Sequence, residues 1–269
     1  MARQAKPTKP VQEVRKPILT GTWNGRDALR KARSVLLGML LVTFLYVVLS
    51  LLLSFDSLVL RIVLGLAIVG LAVLYFYYQG ANAGQSDAAF AEIMYLRDAD
   101  GKPVSAAERG RCYHPGKGFF AAMLGALPFV LLALVFALMA QKEQYSLGVL
   151  PSWMTPFTRQ SGIGDALAYY AQREGVTVLV VLKIITRSMT MPFVNVAIRL
   201  GADAVLWCER LSPLWVLLAP LGYGIGYRQG PALRNRINTG IAIGDQRKKR
   251  REKRERTARQ RTTTPERLI

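Results

Sequence analysis

The residues of this chain that could do chemistry are few and widely spaced. His114 is the only histidine, and Cys112 and Cys208 are the only cysteines. A single histidine cannot build a histidine-based metal cluster, and the cysteine spacing fits neither a disulfide framework nor a CxxC site. A catalytic Cys–His pair usually comes from distant segments that position each other, whereas Cys112 and His114 are neighbours in one loop. The sequence therefore predicts two free thiols, no metal site and no catalytic site.

Two glycine-containing segments resemble nucleotide-binding motifs only superficially. Between Gly110 and Gly116 the spacer has five residues instead of four, and Gly118 occupies the position of the Ser/Thr that would hold Mg²⁺. The glycines at 222, 224 and 226 lack the spacing of a dinucleotide fingerprint and lie in an apolar run. We therefore expect no cofactor, and interpret the second set as a packing or hinge element.

Four charged residues close to apolar runs are the strongest candidates for a transport path or for internal ion pairs: Lys183, Arg187, Glu209 and Arg210. Lys183 and Arg187 lie on one stripe of a helix, which is typical of a helix with one face exposed to water. If the last span begins at Leu211, the glutamate and its neighbouring arginine are interfacial, and this interpretation is favoured. If the span begins at Ala204, Glu209 and Arg210 lie inside the membrane and need partners such as Lys183 or Arg187.

Long apolar runs must position these groups. Residues 34–55 contain 22 residues without a charge, about 33 Å of helix, enough to cross a hydrocarbon core of about 30 Å. Residues 58–78 continue this hairpin, with Arg61 a single turn from the end, and residues 119–140 form a third uncharged run containing Pro128. The run 204–227 is interrupted by prolines and glycines, and we expect it to be kinked or partly unwound at its inner end. The predicted fold is all-α, with four transmembrane helices.

The region 141–203 is harder to interpret because its segment 176–200 is apolar enough to suggest a fifth span. Charged residues and Pro192 interrupt that segment. Five spans would put the basic C-terminal tail outside, against the tendency of basic segments to remain in the cytoplasm. We therefore predict an external region in which 176–200 is an amphipathic or re-entrant helix pair.

The chain ends carry most of the charge. Residues 1–33 hold nine Lys/Arg against two acids and residues 228–269 hold fourteen against four, so the ends carry +17 of the formal +19. Together with a cytoplasmic loop at 79–118, this distribution predicts cytoplasmic N- and C-terminal segments. The absence of eukaryotic targeting signals favours a bacterial plasma membrane.

The basic tail is predicted to be a solvated helix or a disordered arm, because it has no apolar face to bury. Its clustered cations suit anionic lipid headgroups, or ribosomal or other RNA without specific readout, since the tail has no aromatic residue for base stacking. A tail that only fixes membrane orientation is equally compatible. The candidate contact residues are Arg247, Lys248, Lys249, Arg250, Arg251, Lys253 and Arg254.

For function, the lack of reactive groups favours a non-enzymatic membrane protein, an accessory or scaffold subunit of a transport or envelope assembly, with membrane protein partners or as a homo-oligomer. A small transporter or channel is the first alternative, and its path would favour anions. An insertase-like factor that recruits ribosomes through the tail is the second alternative.

Overall fold

The computed structural model describes residues 14–52, 55–142, 152–170 and 177–262, and every regular element within these ranges is a helix. A short 3-10 helix, Ser152–Arg159, precedes the fifth α-helix. The α-helices are, in chain order, α1 Arg26–Leu52, α2 Leu58–Ala99, α3 Ala106–Arg111, α4 Lys117–Met139, α5 Ile163–Tyr170, α6 Val178–Met189, α7 Met191–Leu200, α8 Ala202–Arg210, α9 Ser212–Arg228 and α10 Gly230–Thr262. The prediction of an all-helical chain is confirmed for this part.

Three of these helices, α1, α2 and α4, are long and apolar enough to cross a membrane. Two further pairs qualify only when taken together: α6 with α7, bent by 101°, and α8 with α9, bent by 55°. The chain therefore has three candidate spans, or up to five if each bent pair is one span. A helix suits such apolar sequence because it satisfies its backbone hydrogen bonds internally.

The chain divides into two compact units. The terminal unit comprises residues 1–28, 77–118 and 224–269, and so contains both chain ends. The core unit comprises residues 29–76 and 119–223.

Helix α2 is longer than the sequence analysis expected. It runs without a break through Ala99, whereas the apolar run was predicted to end at Tyr78 and a loop to follow. Its second half buries small residues at helical spacing, among them Ala81, Ala88 and Ala91. A stripe of alanines at this period is the packing face of a helix, so residues 79–99 remain helical after the leucine-rich run has ended.

Helix α9 is also more regular than expected. It is helical through Arg228, so the predicted alternative of a partly unwound inner end is wrong, and the interruption lies at Leu211, where the helix begins. A Cβ added to Gly226 would lie 2.0 Å from the carbonyl oxygen of Tyr77. This glycine therefore lets two backbones approach closely, which is the packing role proposed for it.

The segment 176–200 forms a pair of helices, as predicted, although Val176 itself lies outside the described residues. The break falls at Thr190, and Pro192 stands in the first turn of α7. Proline is tolerated there because the first turn has no intrahelical partner for its missing N–H. The 101° bend thus has a local sequence cause.

Candidate functional site: a buried lysine in the terminal unit

The most unusual side chain of the terminal unit is Lys117, the first residue of α4, which is fully buried. Its Nζ donates to the carbonyl oxygens of Gly110 and Cys112, at 2.9 and 2.6 Å. Carboxylate oxygens of Asp27 and Asp87 each lie 3.4 Å from the same nitrogen. Four oxygens therefore surround one ammonium group, and an isolated buried charge would be strongly unfavourable without such partners.

These partners come from three helices and one loop. Asp27 lies in the first turn of α1, where a carboxylate interacts favourably with the helix dipole. Lys117 lies in the first turn of α4, where a cation interacts unfavourably with the helix dipole. The carboxylates of Asp27 and Asp87 offset both this interaction and the cost of removing the ammonium group from water. Tyr227, at the end of α9, donates to Asp87 Oδ2 at 2.5 Å. We call Asp27, Asp87, Lys117 and Tyr227 the lysine cage.

The two carbonyl oxygens come from the last turn of α3 and from the residue that follows it, and this segment is itself well organised. Ser105 and Glu108 form a capping box at the start of α3, and Glu108 also pairs with Arg97 at 2.7 Å. The hydrogen bond from the Ser105 backbone lowers the pKa of the Glu108 carboxyl, and the Ser105 hydroxyl adds to this effect. This short helix therefore holds residues 105–111 in place before the chain turns towards Lys117.

Cys112 and His114 have separate local partners. The Cys112 thiol is buried and donates to the carbonyl oxygen of Glu108 at 3.5 Å, and burial raises the pKa of this thiol. His114 Nδ1 accepts from the backbone N–H of Gly116 at 3.1 Å. A raised pKa favours the protonated thiol, whereas a nucleophilic cysteine needs the thiolate.

An aromatic stack closes the site on one side. The rings of Tyr113 and Tyr227 are 5.4 Å apart and nearly parallel, and the Tyr113 hydroxyl donates to the carbonyl oxygen of Arg228 at 3.3 Å. A Cβ added to Gly118 would lie 2.5 Å from the Cβ of Tyr227. Glycine therefore follows the lysine because Tyr227 leaves no room for a side chain at position 118.

A second ionic cluster of the terminal unit holds the first part of α10. The buried carboxylate of Glu92 accepts from Arg234 at 3.1 Å and from Asn238 at 2.7 Å. The backbone N–H of Val14 donates to the hydroxyl of Thr239 at 2.9 Å. We call these five residues the helix clamp, because they tie α10 both to α2 and to the N-terminal segment.

In the core unit, the structure brings together two of the four charged residues predicted as path or pairing groups. Arg187 lies 2.6 Å from Glu209, which is only 3% exposed. The guanidinium of Arg210 lies over the ring of Trp207, 5.9 Å from its centroid, and Lys183 is half-buried. The favoured interpretation, in which Glu209 is interfacial, needed no partner for this residue. The structure instead shows the pairing with Arg187 that was expected if the span begins at Ala204.

Further polar groups of the core unit join its two helical hairpins. Arg61 donates to the carbonyl oxygens of Phe55 and Asn195, the latter at 3.1 Å. The Asn195 side chain donates to the carbonyl oxygen of Ser50 at 3.0 Å. These bonds give α7 a fixed position against α1 and α2.

The predicted lipid or RNA contact residues, 247–251, 253 and 254, are all exposed and lie on one continuous helix, α10. Within the described ranges, no group of three or more His, Cys, Asp or Glu residues is arranged to hold a metal ion. Comparison of the chain with protein families, with curated proteins and with solved structures gives no match.

Sequence reasoning missed the lysine cage. A usable signal was Asp87, an isolated acid on the same helical face as Gly84, Ala88 and Ala91, which are packed or buried. An acid within a small-residue stripe is buried if the stripe packs, and it then needs a cation. That cation, Lys117, lies 30 residues further along the chain, so local spacing could not identify it.

Proposed function

We propose that this chain is a multi-pass protein of the bacterial plasma membrane with four spans and cytoplasmic ends, acting as a non-enzymatic accessory or scaffold subunit of a transport or envelope assembly. The four spans are α1, α2, α4 and the bent pair α8–α9. The pair α6–α7 remains an outer amphipathic or re-entrant element. Membrane proteins and the bilayer itself are its partners.

The pairing of the two chain ends supports an even number of spans. Val14 is hydrogen-bonded to Thr239, and residues 1–28 and 224–269 belong to the same unit. Two segments in direct contact lie on the same side of a membrane, and four is the even number among three to five candidate spans. The strong positive charge of both ends favours the cytoplasm as that side.

The observation that carries the scaffold proposal is the helix clamp. Buried ionic groups are costly, and here they hold the base of a 33-residue helix against α2. Beyond the clamp, residues 244–257 of that helix are exposed on all sides. A rigid base bearing a long exposed charged helix is suited to presenting that helix to a partner.

The scaffold proposal is tested by purifying the tagged protein in mild detergent and quantifying membrane proteins that remain bound after a moderate salt wash. We expect at least one stoichiometric partner with wild type, and its loss with Glu92→Gln, which removes the carboxylate of the clamp. Lys102→Gln, at an exposed loop position, is the matched control and should retain the partner. A homogeneous preparation without a bound partner would contradict the proposal.

Topology needs its own measurement. Green fluorescent protein fused after residue 269 should fluoresce, and alkaline phosphatase inserted after Lys142 should be active. Fluorescence reports a cytoplasmic position and phosphatase activity an external one. An inactive phosphatase after Lys142, or a dark C-terminal fusion at normal expression, would remove the four-span arrangement.

A small anion-favouring transporter is the second candidate, favoured by the two bent helix pairs and by the pairing of Arg187, in α6, with the buried Glu209, in α8. Ionisable groups within membrane spans often mark transport paths. Chloride efflux from proteoliposomes should then fall strongly with Lys183→Gln, at a half-buried position of α6. Absence of efflux by the wild-type protein would eliminate this candidate.

A further inference from the structure

The exposed part of α10 has an unusual composition. Residues 244–257 contain eight Lys/Arg, three acids and no apolar side chain, and all fourteen are exposed. Among the described residues, none outside α10 is hydrogen-bonded or ion-paired to this section. Glu252 and Glu255 nevertheless each lie four residues before an arginine, a spacing that stabilises an isolated helix. This section is therefore built to be helical while its cations remain available.

The charges are distributed around the helix in a definite way. At 100° per residue, the three acids, Asp245, Glu252 and Glu255, fall within a sector of roughly 80°. Seven of the eight cations lie on the remaining surface, in an acid-free arc of roughly 220°. Lys248 is the one cation that lies among the acids.

The width of this arc discriminates between partners. A flat bilayer surface contacts less than half the circumference of a helix, and an interfacial helix normally inserts an apolar face, which is missing here. A groove lined by phosphates on both sides contacts a much wider arc. The major groove of B-form DNA is about 12 Å wide and admits an α-helix of 10–12 Å diameter, whereas that of A-form RNA is deep and narrow.

Single strands are a poorer fit. Their binding sites combine cations with aromatic side chains on which bases stack, and residues 228–269 contain no aromatic residue. The section also lacks Asn, and its one Gln, Gln246, lies at its start, so specific reading of bases has little support. What remains is sequence-independent contact with duplex phosphates.

We propose that the acid-free arc of α10 binds double-stranded DNA in its major groove without sequence preference, so that the protein attaches DNA to the membrane. This inference rests on the proposed function for the cytoplasmic position of the tail. The residues that carry it are Arg247, Lys249, Arg250, Arg251, Lys253, Arg254 and Arg256.

The test uses the full chain in phosphatidylcholine nanodiscs and a fluorescent 20-base-pair DNA duplex. Seven phosphate contacts give a slope of log K against log salt of about −6, since each contributes about −0.9. Lys249→Gln should reduce the magnitude of that slope by about 0.9. Lys248→Gln, the adjacent exposed lysine on the acidic side, should leave it unchanged.

Three outcomes would overturn the inference: no DNA binding at low salt, equal effects of Lys248→Gln and Lys249→Gln, or an RNA duplex of the same sequence binding as tightly as DNA. Association with phosphatidylglycerol vesicles without DNA binding would assign the helix to lipid instead. The scaffold proposal presents this same section to a membrane partner, so the two proposals are separated by what each assay contains. The nanodisc assay contains no membrane partner, so its failure contradicts only the DNA inference, whereas the absence of a bound partner after the salt wash contradicts only the scaffold.

Discussion

Replacing Lys117 by glutamine removes a buried ammonium and leaves its four oxygen partners behind. Glutamine offers two N–H donors, carries no charge and leaves the carboxylates of Asp27 and Asp87 without their shared cation. Removing one partner of a buried ion pair costs about 3–5 kcal/mol. The terminal unit should therefore become much easier to open.

The two free cysteines provide a direct assay. Cys112 is buried in the terminal unit and Cys208 in the core unit, so each thiol reacts with a labelling reagent only when its own unit opens. With tenfold in rate for every 1.4 kcal/mol, Lys117→Gln should accelerate labelling of Cys112 by about 100-fold or more. Labelling of Cys208, followed in the same sample by peptide mass spectrometry, should remain at the wild-type rate.

Two further variants keep this test informative. Lys102→Gln, at an exposed position, should change neither rate. Tyr227→Phe removes one hydrogen bond to Asp87 and keeps the cation, so a loss of about 1.5–3 kcal/mol should accelerate Cys112 labelling roughly 10- to 100-fold. An unchanged Cys112 rate in Lys117→Gln would refute the argument that the ammonium holds this unit closed, and an equal rise at Cys208 would refute its assignment to one unit.

Three other outcomes are expected. Arg187→Gln leaves a buried glutamate without its cation and should accelerate Cys208 labelling about 100-fold or more, whereas an unchanged rate would mean that the pair is not needed. Gly226→Ala should lower the melting temperature, because the new methyl group meets a backbone carbonyl of α2, while Gly240→Ala, in open space, should be neutral or stabilising; similar shifts would contradict the packing argument. Because the pKa of the Glu108 carboxyl is lowered, the contribution of its carboxylate to the stability of α3 is present above the ordinary carboxyl pKa of about 4.3. This contribution is lost as the pH falls through the lower pKa of the folded state. The hydrogen-exchange protection factor of α3, the ratio of intrinsic to observed exchange rate, should follow that titration, and in Glu108→Gln it should no longer change over that pH range.

The sequence predicted the helices best where the signal was strongest and local. The runs 34–55 and 119–140 lack charge over a membrane-spanning length, and helices α1 and α4 cover nearly all of them. The extension of α2 through Ala99 was missed because alanine and glycine give a weak apolar signal, although their spacing is helical. The regular end of α9 was missed because Gly222 and Gly226 were taken as possible breaks before their packing partners were known.

The candidate site was harder to predict because its charges meet across the chain. Lys117 is 90 residues from Asp27 and 30 from Asp87, and no spacing rule links them. The pairing of Arg187 with Glu209 was accessible as a conditional interpretation, since both stood near apolar runs and a buried glutamate needs a cation. Whether Glu209 is interfacial or buried depends on how the helices pack, which the local sequence did not determine.

The lysine cage also bears on how the terminal unit relates to the ions around it. Two carbonyl oxygens and two carboxylates around one positive charge form the kind of oxygen shell that proteins offer to a monovalent metal ion. Here the charge is covalently attached to the chain, so it cannot be exchanged or diluted away. Because buried charges are screened little by salt, the unit carries its own counter-ion and keeps it through changes in the ionic composition of the cell.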